Sequence, residues 1–197
     1  MPKLYFRYGT MNSSKTANLL MVAHNYTTTG RKVILAKPSC DVRFDPHEIT
    51  SRAFTTSSRA DILITPDMDI IDLDIVPGAV CMLVDEAQFL SEVNVDALRV
   101  VSRTIPVICY GLRTDYLTRL FTGSKRLMEV ADNIEEIKTV CSLCEKKAVV
   151  NAKYYIDPTT DKAVIRSDGP SEIDLGGEDK YQAMCWECYQ TEIEKEG

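Results

Sequence analysis

The sequence has no long hydrophobic run and no excess of positive charge. No stretch of about eighteen apolar residues occurs, so no transmembrane helix is expected. The 23 Lys and Arg residues are outnumbered by 29 Asp and Glu residues, which argues against broad affinity for a nucleic-acid backbone. The first residues also lack the basic and apolar regions of a secretory signal. We therefore expect a cytoplasmic protein with neither a membrane nor a nucleic-acid partner.

The number and spacing of the cysteines indicate a metal site. Seven cysteines form an odd set without an export signal, so a disulfide framework is not expected. Four of them form two C-x-x-C pairs, which is the spacing of a closed, structural zinc site. The four candidate ligands are Cys141, Cys144, Cys185 and Cys188. Two alternatives remain, a redox pair and a nucleic-acid-binding zinc ribbon, and the acidic residues of this region count against the second.

The chain is long enough for one full domain and a small second lobe. Its 197 residues are 45% hydrophobic, which is sufficient for one packed core. Apolar segments alternate with helical patterns, which predicts an α/β fold with a parallel sheet. We predict strands at 3–8, 32–37, 61–65, 79–85, 106–112 and about 136–140, helices at 15–26 and 93–102, and a loop at 38–60. A hairpin of 148–156 and 162–167 and a loop to 181 would follow, with a boundary that divides 1–140 from 141–197.

A phosphate-binding loop is predicted directly after the first strand. Residues 9–16 match the pattern G-x-x-x-x-G-K-[ST], except that Ser14 replaces the second glycine. In such a loop Lys15 would neutralise phosphate charge and the Thr16 hydroxyl would bind Mg²⁺. The Cβ of Ser14 has a steric cost where unusual torsions are needed, and we expect a modest adjustment. The candidate nucleotide-binding residues are Gly9, Thr10, Met11, Asn12, Ser13, Ser14, Lys15 and Thr16. The alternative is an ordinary tight turn before a helix.

A second candidate site follows the apolar strand at 79–84. Asp85 would hold a nucleotide-bound Mg²⁺ at the carboxyl end of that strand. Glu86, one residue further, could accept the proton of a hydroxyl that attacks the γ-phosphate. The alternative is that both carboxylates merely favour the start of the next helix. The presence of the phosphate loop in the same chain favours the functional interpretation.

These features together resemble the type II thymidine kinase family, the cytosolic zinc-containing class, and most closely its bacterial branch. The resemblance extends over nearly the whole chain. Besides the two C-x-x-C pairs, it rests on GTMNSSKT at 9–16, DVR at 41–43, DEAQF at 85–89, YGLRTD at 110–115, LFTGS at 120–124 and GGEDKY at 176–181. It implies a P-loop NTPase-like parallel sheet flanked by helices. A small C-terminal zinc-binding β-hairpin lobe would carry a "lasso" loop that covers the substrate.

The resemblance also implies roles for individual residues. Glu86 matches the catalytic base, and Arg43 a residue that could stabilise the transferring phosphoryl group. Contacts with ATP and Mg²⁺ are implied for Asp41, Arg43, Asp85 and Gln88 together with the phosphate loop. Contacts with the nucleoside are implied for Met11, Phe89, Leu112, Tyr116, Glu172, Ile173, Asp174, Leu175, Gly176 and Tyr181. For Phe89 and Tyr116 the alternative is ordinary core packing.

The activity implied by the resemblance is transfer of the ATP γ-phosphate to the 5′-hydroxyl of thymidine, with deoxyuridine as a second acceptor. A homotetramer and feedback inhibition by thymidine triphosphate are implied in the same way. The residues leave two other functions open. One is an ATPase or GTPase module whose zinc ribbon docks a protein or nucleic acid, and the other is a kinase of a different nucleoside.

Overall fold

The computed structural model describes residues 1–41, 45–51, 56–68, 70, 77–156, 163–166 and 180–195. In chain order the strands are β1 (Leu4–Tyr8), β2 (Lys32–Pro38), β3 (Glu48–Ser51), β4 (Thr56–Arg59), β5 (Ile62–Ile64), β6 (Ala79–Val84), β7 (Val107–Gly111), β8 (Asn133–Glu136), β9 (Val150–Ile156), β10 (Ala163–Ile165) and β11 (Tyr181–Met184). The helices are α1 (Lys15–Thr27), α2 (Glu92–Val101), α3 (Thr122–Val130) and α4 (Trp186–Glu194), with a 3₁₀ turn at Ala87–Phe89. None of the described helices is both long and apolar enough to cross a membrane.

A six-stranded parallel sheet forms the centre of the fold, as the alternation of strands and helices predicts. Its strand order is β5-β2-β6-β7-β1-β8, and every neighbouring pair is parallel. Residues of α1 such as Leu19 pack on one face with Leu83 of β6. On the other face Leu98 of α2 and Leu127 of α3 pack with Val84. Since both faces are covered, the central strands are almost continuously apolar.

The carboxyl ends of the parallel strands lie at one edge of the sheet, and the candidate catalytic segments follow them. The phosphate loop follows β1, and Asp85 and Glu86 follow β6. Helix α2 begins a few residues further at a capping box, in which Ser91 and Asn94 each accept the other's backbone N–H. The capping box fixes the residue at which α2 begins, and thereby the length of the segment that carries Asp85 and Glu86.

Two predictions for secondary structure were wrong. The polar segment at 38–60 contains an antiparallel pair, β3 with β4, because short strands rich in Ser and Thr can pair with each other without large apolar side chains. Ile49 is fully buried there. The last strand of the sheet is β8, which begins at Asn133 rather than near Glu136. As an exposed edge strand it pairs with β1 on one side only, so its residues carry no apolar signature.

A separate three-stranded antiparallel sheet follows residue 140, in the order β10-β9-β11. The pairing of β9 with β10 confirms the predicted hairpin. Strand β11 and helices α3 and α4 were not predicted. Tyr181, the last residue of the predicted loop, is the first residue of β11. The segment 167–179, which includes the candidate residues Glu172, Ile173, Asp174, Leu175 and Gly176, lies outside the described residues.

Candidate active site

The phosphate loop turns between β1 and α1 with two residues in the left-handed region. Asn12 and Ser14 both have φ 61°. Ser14 therefore adopts, with a Cβ, the kind of torsion for which the motif uses glycine. Gly9 is needed for space, because a Cβ there would lie 2.3 Å from Ser13 Oγ and 2.5 Å from the Ile137 carbonyl oxygen. The unusual torsion that the sequence led us to expect at Ser14 is present in the structure.

Lys15 and Thr16, at the start of α1, are placed at the mouth of this loop. Lys15 Nζ donates to the Thr10 carbonyl oxygen at 2.7 Å. The Thr16 hydroxyl lies 3.0 and 3.3 Å from the two carboxylate oxygens of Asp85, which is 69 positions away in the chain. A hydroxyl and a carboxylate are hard oxygen ligands of the kind that Mg²⁺ prefers, so these two side chains could hold that ion.

The carboxylate of Asp85 is buried, and its pKa lies well above the ordinary value of an aspartate. Burial and the neighbouring Glu86 carboxylate raise its pKa, while the Thr16 hydroxyl and Lys15 oppose the shift. Its backbone N–H donates to the Ala36 carbonyl oxygen of β2 at 2.9 Å, which places it directly beside the end of that strand. A buried carboxylate with a raised pKa is a frequent sign of a functional site, and a bound cation would favour its ionised form.

Glu86 lies two residues past the end of β6, directly before the 3₁₀ turn. Its backbone is left-handed, with φ 50° and ψ 36°, and the 3₁₀ turn begins immediately after it. One of its carboxylate oxygens accepts a hydrogen bond of 2.5 Å from the side-chain amide of Gln88. The Gln88 amide oxygen in turn accepts the Leu112 N–H at 3.0 Å. Strained backbone of this kind is often found at functional sites.

Both backbone groups of Leu112 are fixed by side chains. Gln88 accepts its N–H, and the fully buried Ser124 hydroxyl donates to its carbonyl oxygen at 2.5 Å. Ser124 belongs to the LFTGS segment, which forms the start of α3. Gly123 of the same segment packs so closely that a Cβ would lie 2.4 Å from the Ala87 carbonyl oxygen. This motif therefore holds the 3₁₀ turn and the end of β7 together.

Asp41 is part of a buried ion pair. Its carboxylate lies 2.8 Å from Lys37 Nζ, and only 3% of the lysine side chain and 8% of the aspartate side chain are exposed. Lys37 also donates to the Glu48 carbonyl oxygen at 3.0 Å. Lys37 ends the predicted strand at 32–37 and was not among the predicted site residues. The candidate residue Arg43, two positions beyond Asp41, lies outside the described residues.

Two candidate nucleoside residues meet at a buried lysine. Lys153 of β9 lies with its Nζ 5.0 Å from the ring centroid of Tyr116 and 5.8 Å from that of Tyr181. Lys153 is 6% exposed and Tyr116 3%. A third candidate, Phe89, is half-buried and packs edge-on against Phe121 at 5.7 Å between ring centroids. The structure thus brings Tyr116 and Tyr181 together and places Phe89 against a neighbouring aromatic side chain.

The C-terminal sheet contacts the phosphate loop through Asn151. The backbone N–H of Met11 donates to the Asn151 side chain at 2.7 Å, and the Asn151 amide donates to the Thr114 carbonyl oxygen at 3.3 Å. Asn151 is almost fully buried. Sequence reasoning missed Asn151 and Lys153. Their signal was present as two polar residues that alternate with apolar ones in the buried first half of β9, since buried polar residues must find partners.

The four candidate metal ligands converge on one point. The sulfur atoms of Cys141, Cys144, Cys185 and Cys188 lie within 4.8 Å of one another, and those of Cys144 and Cys185 are 3.6 Å apart. Four sulfurs around one zinc ion at its usual bond length lie about 3.8 Å apart, so the cluster fits a tetrahedral ion. All four are free cysteines.

Backbone N–H groups lie close to two of the four sulfur atoms. The N–H groups of Leu143 and Cys188 lie 3.4 Å from the sulfurs of Cys141 and Cys185 respectively. Burial by itself raises the pKa of Cys141, but hydrogen bonds from the backbone around the cluster outweigh it and lower the pKa to about 6. These donors favour the metal-binding thiolate form at Cys141. At Cys188 the neighbouring side chains of Cys185 and Cys144 raise the pKa instead, so a bound cation would be needed to ionise all four thiols.

Comparison with known proteins agrees with this arrangement. A family model described as thymidine kinase matches residues 2–189. Thymidine kinases of Streptococcus agalactiae serotype Ia and Streptococcus pyogenes serotype M28 are each 39% identical to this chain over 193 residues, which are 96% of this chain and 97% of the relative. The resemblance stated from the sequence motifs is confirmed over nearly the full length of the protein. The chain belongs to the thymidine kinase family.

Proposed function

We propose that the protein transfers the γ-phosphate of ATP to the 5′-hydroxyl of thymidine and releases ADP and thymidine monophosphate. The observation that carries the proposal is the contact of Thr16 with Asp85, with Glu86 next in the chain. This contact supports a phosphate loop, a candidate metal-binding carboxylate and a candidate base at one edge of the sheet. Family membership supports thymidine as the acceptor.

The phosphate loop and its neighbours would supply charge and position. Backbone N–H groups of residues 9–16 and the Lys15 ammonium would bind the β- and γ-phosphates at the start of α1. Thr16 and Asp85 would hold Mg²⁺, which neutralises charge on the phosphates when bound. Asp41 would adjoin the nucleotide, a contact that the family resemblance also implies for Gln88, and Arg43 could stabilise the transferring phosphoryl group. Such catalysis depends mainly on alignment and electrostatics.

Glu86 would act as the general base. As the 5′-oxygen of the nucleoside forms its bond to the γ-phosphorus, the bond from that phosphorus to the β,γ-bridging oxygen breaks. The proton of the 5′-hydroxyl passes to the Glu86 carboxylate, and ADP leaves with the bridging oxygen. The Gln88 amide donates a hydrogen bond to one carboxylate oxygen of Glu86.

The nucleoside would bind between the end of β7 and the C-terminal sheet. Met11, Phe89, Leu112, Tyr116 and Tyr181 would contact the base, and the segment 172–176 would close over it. The contacts that hold Leu112 and the shared contact of both tyrosines with Lys153 support this assignment. Deoxyuridine lacks only the methyl group of thymidine, so we expect it as a weaker acceptor.

The decisive experiment is transfer of labelled γ-phosphate from ATP to a set of nucleosides, with Glu86→Gln as the test variant. A positioned base contributes about 100- to 10,000-fold, so turnover should fall by that order. ATP affinity, measured by calorimetry, should change little. Equal loss of ATP binding and turnover would show that Glu86 is structural. ATP or GTP hydrolysis without phosphorylation of a nucleoside would instead support the ATPase or GTPase module, which the family match does not favour.

The four-cysteine cluster would hold a structural zinc ion, since it leaves no coordination position open. Zinc would connect the segment before β9 with the end of β11 and thereby stabilise the lobe that carries Lys153 and Tyr181. Replacement of Cys185 by serine should release about one zinc ion per chain, as measured by a colorimetric chelator. Thymidine binding should be weakened, and unchanged zinc content would contradict the assignment.

Further proposals rest on the family alone. We propose a homotetramer, inhibition by thymidine triphosphate as the end product, and a cytoplasmic location. Sedimentation would measure the assembly, and a titration of thymidine triphosphate at fixed thymidine would measure the inhibition. A monomer, or unchanged rates at saturating triphosphate, would contradict these proposals.

A further inference from the structure

Gln88 is buried between Glu86, the candidate base, and Leu112, a candidate nucleoside residue. It is 1% exposed, and the oxygen and the nitrogen of its side-chain amide each have a hydrogen-bond partner. Its oxygen accepts the N–H of Leu112 at 3.0 Å, and its nitrogen donates to Glu86 Oε2 at 2.5 Å. Gln88 and Leu112 are 24 positions apart in the chain.

The orientation of this amide follows from its partners. A backbone N–H is only a donor, so the Gln88 atom that faces Leu112 must be the oxygen. The NH₂ group is thereby directed at Glu86, and a carboxylate is only an acceptor when ionised. A rotated amide would lose both hydrogen bonds and bring its oxygen against the carboxylate. The two partners therefore select one orientation.

We propose that Gln88 is a positioning residue that holds the Glu86 carboxylate in the orientation in which it accepts the proton of the sugar hydroxyl. The proposal deepens the proposed function and rests on the base role of Glu86. It differs from the role in ATP and Mg²⁺ contact that the family resemblance implies for Gln88. In this structure the two polar atoms of the Gln88 amide are bonded to Glu86 and Leu112.

Glu86 needs such a partner because of its position. Its side chain is half-buried and has three rotatable bonds, and its backbone lies in a left-handed conformation at the start of a 3₁₀ turn. Loss of the Gln88 donor would remove one of the contacts that restrict the carboxylate to one rotamer. The hydrogen bond from Gln88 to Glu86 Oε2 favours one of the rotamers that the side chain can adopt.

The position of Gln88 is itself determined by packing. A Cβ at Gly111 would lie 2.7 Å from the Gln88 amide oxygen and 3.0 Å from its backbone nitrogen. The end of β7 therefore approaches the 3₁₀ turn as closely as a glycine permits. Since Leu112 follows Gly111, a single set of contacts aligns the base carboxylate with the candidate wall of the nucleoside pocket.

Gln88→Glu tests this role directly. The variant keeps the length of the side chain and an acceptor for the Leu112 N–H, but it replaces the donor that faces Glu86 with an oxygen. We expect kcat to fall about 10- to 100-fold, which is the usual effect of a misplaced catalytic group. The KM for ATP and the Mg²⁺ requirement should stay near those of the unmutated enzyme. Gln182→Glu, an exposed change of the same chemistry in β11, should leave kcat unchanged.

A double-mutant cycle with Glu86→Gln separates this proposal from the proposed function. If Gln88 acts through Glu86, Gln88→Glu should cause no further loss of kcat in the Glu86→Gln background. A full additional loss there, or an increased KM for ATP in Gln88→Glu, would overturn the positioning role while the base role stands. Unchanged kcat in Glu86→Gln alone would overturn both.

The melting temperature and the ATP affinity of each variant serve as the control for correct folding. Gln88→Met, which keeps the volume but removes both polar atoms, serves as a second variant. A loss of kcat in folded Gln88→Met that disappears in the Glu86→Gln background would support the proposal. An unchanged kcat in both folded Gln88 variants would overturn it.

Discussion

Ser14 offers a direct test of the geometry of the phosphate loop. Its backbone has φ 61° and ψ 30°, and it precedes the first residue of α1. A side chain with a Cβ in this conformation costs about 1–2 kcal/mol. Glycine removes that cost, but its greater conformational freedom in the unfolded chain destabilises the folded state by about 0.4–1 kcal/mol. Ser14→Gly should therefore stabilise the protein by about 0.5–1 kcal/mol, the difference between these two effects.

The assay is thermal or urea unfolding in the absence of nucleotide. For a chain of this length a gain of 0.5–1 kcal/mol corresponds to a rise in Tm of about 1–4 °C. Ser14→Ala is the matched control, since it removes the hydroxyl and keeps the Cβ, so it should not raise Tm. Thr118, with φ 62° in a turn of the described chain, provides a second control. Thr118→Gly should raise Tm similarly without a change in ATP affinity.

A fall in Tm for Ser14→Gly would refute the assignment of strain to the Ser14 backbone. An equal rise in Ser14→Ala would also refute it, because the hydroxyl rather than the Cβ would then be the cause. If Ser14→Gly changes ATP affinity and Thr118→Gly does not, the effect belongs to the phosphate loop and not to stability as such. ATP affinity is measured by calorimetry on the same samples.

Two further predictions concern buried charges. Lys37→Met removes the lysine of the buried pair with Asp41, and the free energy of unfolding in urea should fall by about 3–5 kcal/mol. The control Lys195→Met removes the lysine of an exposed pair and should cost less than about 1 kcal/mol. Equal losses in the two variants would contradict the reasoning. The pKa of Asp85 rises from 3.8 to about 7 on folding, chiefly through burial, so the folded state binds the proton more tightly. The metal-free protein should therefore lose stability as the pH rises from about 4 to about 7. Asp85→Asn should flatten this slope, and an unchanged slope in that variant would exclude Asp85 as its source.

Local pattern was sufficient for much of the fold and the site. The runs Ala79–Val84 and Val107–Gly111 are apolar because both faces of the sheet are covered, so their strand character is visible without the tertiary structure. The phosphate loop is a contiguous motif whose shape depends on a strand and a helix that flank it. The edge strand β8 and the polar pair β3–β4 lack that signal, because exposed strands are held by backbone pairing rather than by apolar side chains.

The sequence by itself determined the type of each chemical group: a phosphate loop with a serine in place of glycine, two adjacent carboxylates after a buried strand, and four thiols at metal spacing. Their partners were decided only by the tertiary structure. Gln88 meets Leu112 across 24 positions, Thr16 meets Asp85 across 69, and Met11 meets Asn151 across 140. Hydrogen bonds over such separations have no periodic signature, because they depend on how strands and helices pack and not on the spacing of residues along one element.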